Sequence, residues 1–319
     1  MSGLDELLTT TRPFLTDGGF ETTMVFLEGL DLPLFSAAVL LEEDRGREAM
    51  ERYWDHYLRL AAEAGTGFVL DTNTWRGGTY WSEGLGRSDA EMIALNHEAV
   101  VFANGLRDKW AGRGAIGPIL VNGVVGPAGD GYAPEFVHTP EGAQAIHTPQ
   151  IQAFAEAGVD FVSAITLTHV GEAVGIARAA RDAGLPVVIS FTVETDGKLP
   201  TGQTLGEAIA ETDAATGWAP IYYMVNCAHP DHFSGALAEG EAWLQRIGGV
   251  RANASRMSHE ELDNSETLDD GDPKEFGHLH LEIAEALPNL RVLGGCCGTD
   301  HRHVGHLSHH FHFRQIEAA

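Results

Sequence analysis

The sequence has few cysteines and no long apolar run. Three cysteines among 319 residues are too few, and odd in number, for a disulfide framework. No apolar stretch approaches the roughly 20 residues that cross a bilayer. The first residues, MSGLDELLTTTRPF, lack the basic and then apolar pattern of a secretory signal. These absences predict a cytoplasmic protein that does not span a membrane.

Basic residues are also scarce. Lysine and arginine number 20 against 46 aspartates and glutamates, which gives a net charge of −26. Such a chain repels nucleic-acid phosphates and anionic lipid surfaces, so neither is an expected partner. A cationic small molecule is electrostatically favoured, although solubility is the main consequence that we expect of this acidity.

Apolar, β-branched segments alternate with helical patterns along the whole chain. No G-x-G-x-x-G motif for nucleotide binding follows the first predicted strand. Three helical segments, 47–65, 148–158 and 170–184, end in Ala-Gly just before a strand. Two segments, 71–89 and 258–277, look like long loops. The predicted strands are eight: 13–19, 67–74, 115–126, 159–166, 186–193, 221–227, 248–255 and 291–297.

Eight strand–helix units in about 300 residues predict an α/β fold, a (β/α)8 TIM barrel. A doubly wound open sheet is the alternative. No sharp change of composition divides the chain, so we expect one domain over residues 1–319.

The cysteines follow two predicted strands. Cys227 ends the sixth, and Cys296 and Cys297 end the eighth, within LGGCCGTD. In a barrel these strand ends share one rim. A disulfide between adjacent cysteines would be strained, because neighbouring Cα atoms lie about 3.8 Å apart and disulfides usually span roughly 4.4–6.8 Å. The glycines Gly294, Gly295 and Gly298 would let the chain turn so that both thiols reach one ion.

Three thiolates with an open fourth position are typical of a catalytic zinc site. His229 or His301 could instead close the site, and buried or redox-active thiols are a further alternative. A substrate thiol in the open position would lose its proton and remain nucleophilic. The expected chemistry is attack by that sulfur on a methyl group of a sulfonium or ammonium compound.

VNCAHP followed by GGCCGTDHRHV closely resembles the homocysteine S-methyltransferase family. The segments LTDGGFETT, GFVLDTNTW, GVVGPAGDGY and DGKLPTGQTLGEAI also resemble it, so the similarity runs from about residue 13 to 305. The resemblance implies a (β/α)8 barrel and zinc held by Cys227, Cys296 and Cys297. It implies homocysteine as the fourth ligand, a donor such as S-methylmethionine, S-adenosylmethionine or betaine, and the branch that does not use cobalamin.

One position departs from the family pattern. The fourth strand often ends in a glutamate, as in A-x-E-T, that binds the amino group of homocysteine. Here the strand reads SAITLTHV, and we place Thr166 where that glutamate stands. A hydroxyl cannot replace a carboxylate facing an ammonium group. Either another acid substitutes, with Glu194 as the nearest candidate, or the acceptor is a different thiol.

Other strand-end polar residues are candidate substrate ligands. Asp17 matches the family's opening aspartate, with a simple turn before Gly-Gly as the alternative. Thr72 and Thr74 could bind a carboxylate or could cap the local backbone. Asn226 could orient the cysteine loop or could pack into a neighbouring turn.

Two further clusters have a structural and a functional interpretation. Trp75, Tyr80 and Trp81 could enclose a cationic donor, but we expect them to cover the barrel mouth or an oligomer contact. The tail 301–313 contains six histidines and could bind metal. We expect a final helix packed on the barrel with those histidines facing outward.

The sequence therefore predicts a cytoplasmic, zinc-dependent S-methyltransferase that acts on small molecules, a thiol and a methyl donor, and that could form homo-oligomers. The acceptor is expected to be L-homocysteine. The alternatives are another thiol or selenol acceptor, and a zinc-binding or redox-responsive protein without catalysis.

Overall fold

The computed structural model describes residues 2–114, 116–134, 136–237 and 241–313, and its eight strands close into one parallel barrel. Each strand pairs with the next, and the last pairs with the first. The (β/α)8 prediction is confirmed, and the open-sheet alternative is wrong. The strands are β1 Phe14–Leu15, β2 Phe68–Asp71, β3 Ile119–Val125, β4 Phe161–Leu167, β5 Val187–Phe191, β6 Pro220–Asn226, β7 Ile247–Ala252 and β8 Val292–Gly295.

Helices surround the barrel, and several end at a glycine in the left-handed conformation, as the Ala-Gly joints predict. Gly65, Gly158 and Gly217 close their helices at φ of 61°, 82° and 64°. Over the described ranges, no helix has the length and apolar character needed to span a membrane. The helices are α1 Gly3–Thr9, α2 Phe20–Thr22, α3 Asp44–Ala64, α4 Asp89–Ala111, α5 Pro140–Ala157, α6 Val170–Asp182, α7 Leu205–Thr216, α8 Pro230–Leu237, α9 His259–Asp263, α10 Pro273–Ala286 and α11 His301–Ser308.

The acidic segment 258–277 is not wholly a loop. It contains α9 and the start of α10. The Ser258 hydroxyl accepts a hydrogen bond from the Glu261 amide, and the Glu261 carboxylate accepts one from the Ser258 amide. This S-x-x-E capping box was the available sequence signal for a helix start. This helix matters for the site, because its first residue, His259, contacts the backbone of Cys227.

Two apolar layers hold the barrel. Side chains that fill its interior include Phe14, Phe161, Ile165 and Met224. A larger cluster packs the helices onto the outer face of the strands. This packing fixes the strand ends, and therefore the loops that follow them, on one rigid rim.

The histidine-rich tail forms α11 and a π-helical turn over His309–Phe313. The expectation that its histidines face outward is wrong for three of the six, since His303, His310 and His312 are buried. His303 Nε2 donates to the Asp270 carbonyl at 2.8 Å, and His312 Nε2 donates to the Pro13 carbonyl at 2.8 Å. These histidines join the tail to the barrel through main-chain hydrogen bonds.

Candidate active site

The three cysteines converge on the rim at the carboxyl ends of β6 and β8. Their sulfur atoms all lie within 4.8 Å of one another, and they form the single group of three or more metal-ligating side chains found among the described residues. Cys227 and Cys296 are joined as a disulfide across 69 residues, and Cys297 Sγ lies 3.9 Å from Cys227 Sγ. No pattern in the sequence predicts this bond, which is one arrangement open to three converging thiols in the absence of a metal.

The donor set fits a metal ion once that pair is reduced. Three sulfur ligands from two strand ends leave a fourth tetrahedral position for a substrate. Burial raises the pKa of the Cys297 thiol to about 11, and the nearby Glu21 carboxylate adds to the rise. A neutral thiol is therefore favoured at Cys297 without a cation, and binding a cation would favour the thiolate.

The glycines around the cysteines serve two different purposes. Gly298 has a φ of +79°, as expected for a residue that turns the chain after Cys297. Gly294 and Gly295 lie in β8 and are needed for close packing, not for turning. A Cβ at Gly294 would lie 2.6 Å from the Asp17 carbonyl oxygen, and one at Gly295 would overlap the Thr299 side chain.

Asn226, the last residue of β6, holds the backbone beside the cysteine cluster. Its Oδ1 accepts hydrogen bonds from the Thr166 amide at 2.9 Å and the Ser190 hydroxyl at 2.5 Å. Thr166 and Cys227 both have positive φ, 68° and 54°, a strained conformation for residues with a side chain. Asn226 thus links the two strained positions and fixes where Cys227 points.

The end of β4 contributes no carboxylate. Ile165 and Thr166 both line the cavity beside the cysteine sulfurs. The Thr166 hydroxyl accepts a hydrogen bond from Asn226 Nδ2. Glu194, the expected substitute, lies outside the cavity lining and is 3.0 Å from His259 Nδ1. The other His259 nitrogen donates to the Cys227 carbonyl at 2.8 Å, so Glu194 orients a histidine that supports the cysteine loop.

A buried arginine binds two of the acids at the cavity floor. The Arg251 guanidinium, on β7, donates to Asp17 on one side and to Asp71, the last residue of β2, on the other. Tyr53 also donates to Asp17, at 2.8 Å. Burial would lower the pKa of Arg251, but the two carboxylates raise it above its ordinary value. Burial raises the pKa of Asp17 to about 6, and Arg251 opposes that rise.

A cavity of about 440 Å³ opens beside the sulfur atoms. Its lining contains two guanidinium groups, those of Arg76 and Arg251, against six carboxyl groups: Asp17, Glu21, Asp71, Asp130, Asp263 and Asp269. The cavity is therefore negative overall. Burial raises the pKa of Glu21 to about 7.

Arg76 occupies the aromatic faces that could otherwise have enclosed a cationic donor. The Arg76 guanidinium carbon lies 4.9 Å from the Trp75 ring centroid and 4.5 Å from that of Trp81. Trp75 lines the cavity, whereas Tyr80 and Trp81 do not. Arg76 Nε is buried without a hydrogen-bond partner in the described part of the chain, which leaves one donor of this arginine unused.

Thr72 and Thr74 have structural roles. Their hydroxyls lie 2.7 Å apart, Thr72 Oγ1 accepts from the Val124 amide, and Thr74 Oγ1 donates to the Val124 carbonyl. Thr72 lines the cavity and Thr74 is fully buried. The arrangement matches the backbone-capping alternative, because both hydroxyls join the end of β2 to β3.

Four further residues at the site were not predicted from the sequence: Glu21, Asp71, Tyr132 and Arg251. The Tyr132 hydroxyl lies 3.6 Å from Cys297 Sγ, and its ring stacks on His259 at a centroid distance of 4.0 Å. Asp71 ends β2 and Arg251 lies next to the end of β7, a position that indicates site residues in a barrel. The predicted strands 67–74 and 248–255 are longer and place both residues in mid-strand. Glu21 and Tyr132 lie in LTDGGFETT and GVVGPAGDGY, two segments that resemble the family, but no strand end singles them out there.

Comparison with known proteins agrees with this geometry. Residues 14–311 match the family described as homocysteine S-methyltransferase. The chain is 27% identical over 317 residues to homocysteine S-methyltransferase from Escherichia coli strain K12, covering 93% of this chain and 94% of that protein.

Solved structures of the E. coli homocysteine methyltransferase MmuM have the same fold. The metallated form matches with a TM-score of 0.75 and the oxidised form with 0.78, each at 23% identity over 97% of this chain and 100% of that chain. The family match covers nearly the whole chain and includes the cysteine cluster. The chain belongs to the homocysteine S-methyltransferase family and is a methyltransferase of that type.

Proposed function

We propose that this protein transfers a methyl group from a sulfonium or ammonium donor to the sulfur of L-homocysteine and so forms methionine. Zinc, held by Cys227, Cys296 and Cys297, is the proposed metal. The observation that carries the proposal is the convergence of three cysteine sulfurs within 4.8 Å at the edge of a substrate-sized cavity. The family match supports the reaction class.

The choice of zinc rests on the donor set, because sulfur ligands in a tetrahedral arrangement favour zinc over the harder divalent metals. When bound, zinc would supply the acidity that keeps the acceptor sulfur as a thiolate at neutral pH. Asn226 and His259 fix the Cys227 main chain, and Tyr132 lies against Cys297. These residues would orient the ligands.

The chemical step is a displacement. The acceptor sulfur, having lost its proton to solvent, attacks the donor methyl carbon and forms a new sulfur–carbon bond. The bond from methyl to the donor sulfur or nitrogen breaks, its electron pair stays with the donor, and the donor leaves as a neutral thioether or amine. The protein contributes alignment of two bound molecules and exclusion of water.

The charge of the cavity supports a cationic donor. Its six carboxyl groups outnumber its two guanidinium groups, and Arg251 neutralises only part of the charge of Asp17 and Asp71. The aromatic faces of Trp75 and Trp81 are in contact with Arg76. The attraction for the donor would therefore come from carboxylates and not from an aromatic cage.

Zinc-edge X-ray absorption on the reduced protein, with and without L-homocysteine, tests the proposal. We expect one zinc per chain, bound by three sulfurs and one lighter atom, and a change to four sulfurs when homocysteine is added. Cys296→Ala should lose both zinc and methyl transfer. Absence of stoichiometric zinc, or full turnover by Cys296→Ala, would contradict the proposal.

A different thiol or selenol acceptor is the second candidate. It is favoured by one observation, namely that Ile165 and Thr166 at the end of β4 offer no carboxylate for an ammonium group. In the same zinc-edge experiment, a zinc coordination shell that changes when thiols lacking an amino group are added, but not when homocysteine is added, would support this candidate instead.

A further inference from the structure

The acids in the cavity are not equally available to a substrate. Asp17 and Asp71 are bound by Arg251. Asp130 accepts from the amides of Tyr132 and Ala133 in its own turn. The Ser255 hydroxyl donates to Asp269.

Glu21 differs from these four acids. It lines the cavity, and within the described residues its carboxylate accepts a hydrogen bond from its own backbone amide but none from another side chain, and it forms no ion pair. Asp263, the remaining acid, is exposed on α9. Glu21, which is half-buried, is therefore less hydrated than Asp263, the other acid without a side-chain partner, and a carboxylate shielded from water gains more from a cation.

The Glu21 segment is held against the cysteine loop. The Gly19 amide donates to the Thr299 carbonyl at 3.0 Å, and the Gly298 amide donates to the Thr22 hydroxyl at 3.3 Å. A Cβ at Gly19 would lie 2.6 Å from the Cys296 carbonyl oxygen. These contacts on both sides of Glu21 place its backbone next to the residues that would hold the acceptor sulfur.

We propose that Glu21 binds the ammonium group of the acceptor thiol. In homocysteine three carbon atoms separate the sulfur from the nitrogen. If the sulfur binds at the cysteine cluster, the ammonium group therefore lies within a few ångströms of that cluster. Glu21 would supply the carboxylate that β4 lacks. This inference rests on the proposed function, because it assumes that the acceptor sulfur sits at Cys227, Cys296 and Cys297.

Glu21→Gln tests the assignment, with L-homocysteine compared against 4-mercaptobutyrate, which has the same thiol and carboxylate but no ammonium group. Affinities are measured by calorimetry on the zinc-loaded protein, and kcat/KM is measured with the cationic donor. We expect the variant to bind homocysteine about 10- to 100-fold more weakly, as for loss of a hydrogen bond to a charged group. The affinity for 4-mercaptobutyrate should stay within about twofold.

Two further variants control the experiment. Glu21→Asp keeps the charge and should retain a clear preference for homocysteine. Glu260→Gln removes an equal charge from an exposed position on α9 and should leave both affinities unchanged. Equal zinc content and an unchanged circular dichroism spectrum show that each variant is folded.

The outcomes separate the two proposals. Equal weakening of both thiols by Glu21→Gln, or a change confined to the KM of the methyl donor, would overturn the assignment of Glu21 while leaving methyl transfer intact. Selective loss of homocysteine affinity supports the assignment. Failure of the wild-type protein to methylate any thiol would overturn the proposed function even if that selective loss of binding is observed.

Discussion

Asn226 Nδ2 donates a hydrogen bond of 2.8 Å to Thr166 Oγ1. This bond connects the end of β6 to the end of β4, next to Cys227, a candidate metal ligand. It occupies one of the two lone pairs of the Thr166 hydroxyl oxygen. The two strand ends behave as one unit, and the strained backbone at both is held by a single buried amide.

Asn226→Ala should therefore lower stability and metal affinity together. The change leaves the Thr166 amide without its partner and removes the bond to Ser190. We expect a loss of about 2–3 kcal/mol in the free energy of unfolding and a loss of about 10- to 100-fold in zinc affinity. Urea unfolding and competition with a metal indicator measure the two effects.

Asn264→Ala is the matched control for this variant. Asn264 is exposed and its side chain donates only to the Glu260 carbonyl, so the change should cost less than about 0.5 kcal/mol. Normal zinc affinity in Asn226→Ala would show that the amide has no influence on the cysteine cluster.

Arg251→Met should destabilise the protein, and more so at high pH. The substitution leaves Asp17 and Asp71 buried without their cation, which typically costs about 3–5 kcal/mol. Burial already raises the pKa of Asp17 and Arg251 opposes that rise, so without Arg251 the Asp17 carboxyl holds its proton in the folded state at a pH where the unfolded chain has lost it. Stability therefore falls as pH rises, and the loss relative to wild type should be larger at pH 8 than at pH 5.

Arg256→Met provides the comparison. Arg256 also binds two carboxylates, those of Asp231 and Glu275, but its side chain is about half exposed, at 49%. Its loss should cost no more than about 1 kcal/mol and should depend little on pH. Urea unfolding of both variants at the two pH values measures the difference. Equal costs for the two arginines would contradict the importance of the buried network.

Oxidation of the zinc-free protein should consume two of its three thiols. The structure joins Cys227 to Cys296 and leaves Cys297 free. A mild thiol oxidant would take two electrons from that pair, with loss of two protons, and thiol titration should fall from three groups to one. Reduction with dithiothreitol should restore three thiols and zinc binding.

Peptide mapping identifies the oxidised pair. In Cys297→Ser the number of free thiols should fall from two to none on oxidation, whereas Cys296→Ser cannot form the bond between Cys227 and Cys296. A bond between Cys296 and Cys297, or a protein that retains three thiols after treatment, would contradict the pairing.

The sequence anticipated those parts of the site that depend on local patterns. Cys227, Cys296 and Cys297 were recognised because each follows an apolar strand and because a barrel places all such strand ends on one rim. Asn226 and Asp17 were proposed by the same rule. Thr74 and Glu194, also proposed as substrate ligands, lie outside the cavity lining. Strand position alone does not distinguish a side chain that faces the cavity from one that bonds to a neighbouring loop.

Several site contacts join residues that are remote in sequence. Arg251 is 180 residues from Asp71 and 234 from Asp17, so no spacing in the chain indicates that it would neutralise both. Glu21 and Tyr132 lie in LTDGGFETT and GVVGPAGDGY, segments that resemble the family, but neither residue stands at a strand end. Arg76 contacts the two aromatic rings that the sequence offered as a cage for a substrate.

The sequence by itself determined the barrel, the cysteine cluster and the family, because these depend on short-range patterns of apolar strands, glycine-ended helices and cysteines at strand ends. Only the tertiary structure decided which charged groups of the cavity are already paired. Pairing depends on distances of a few ångströms between side chains from different strands. It determines whether a given carboxylate is left to bind a substrate, and here it leaves Glu21.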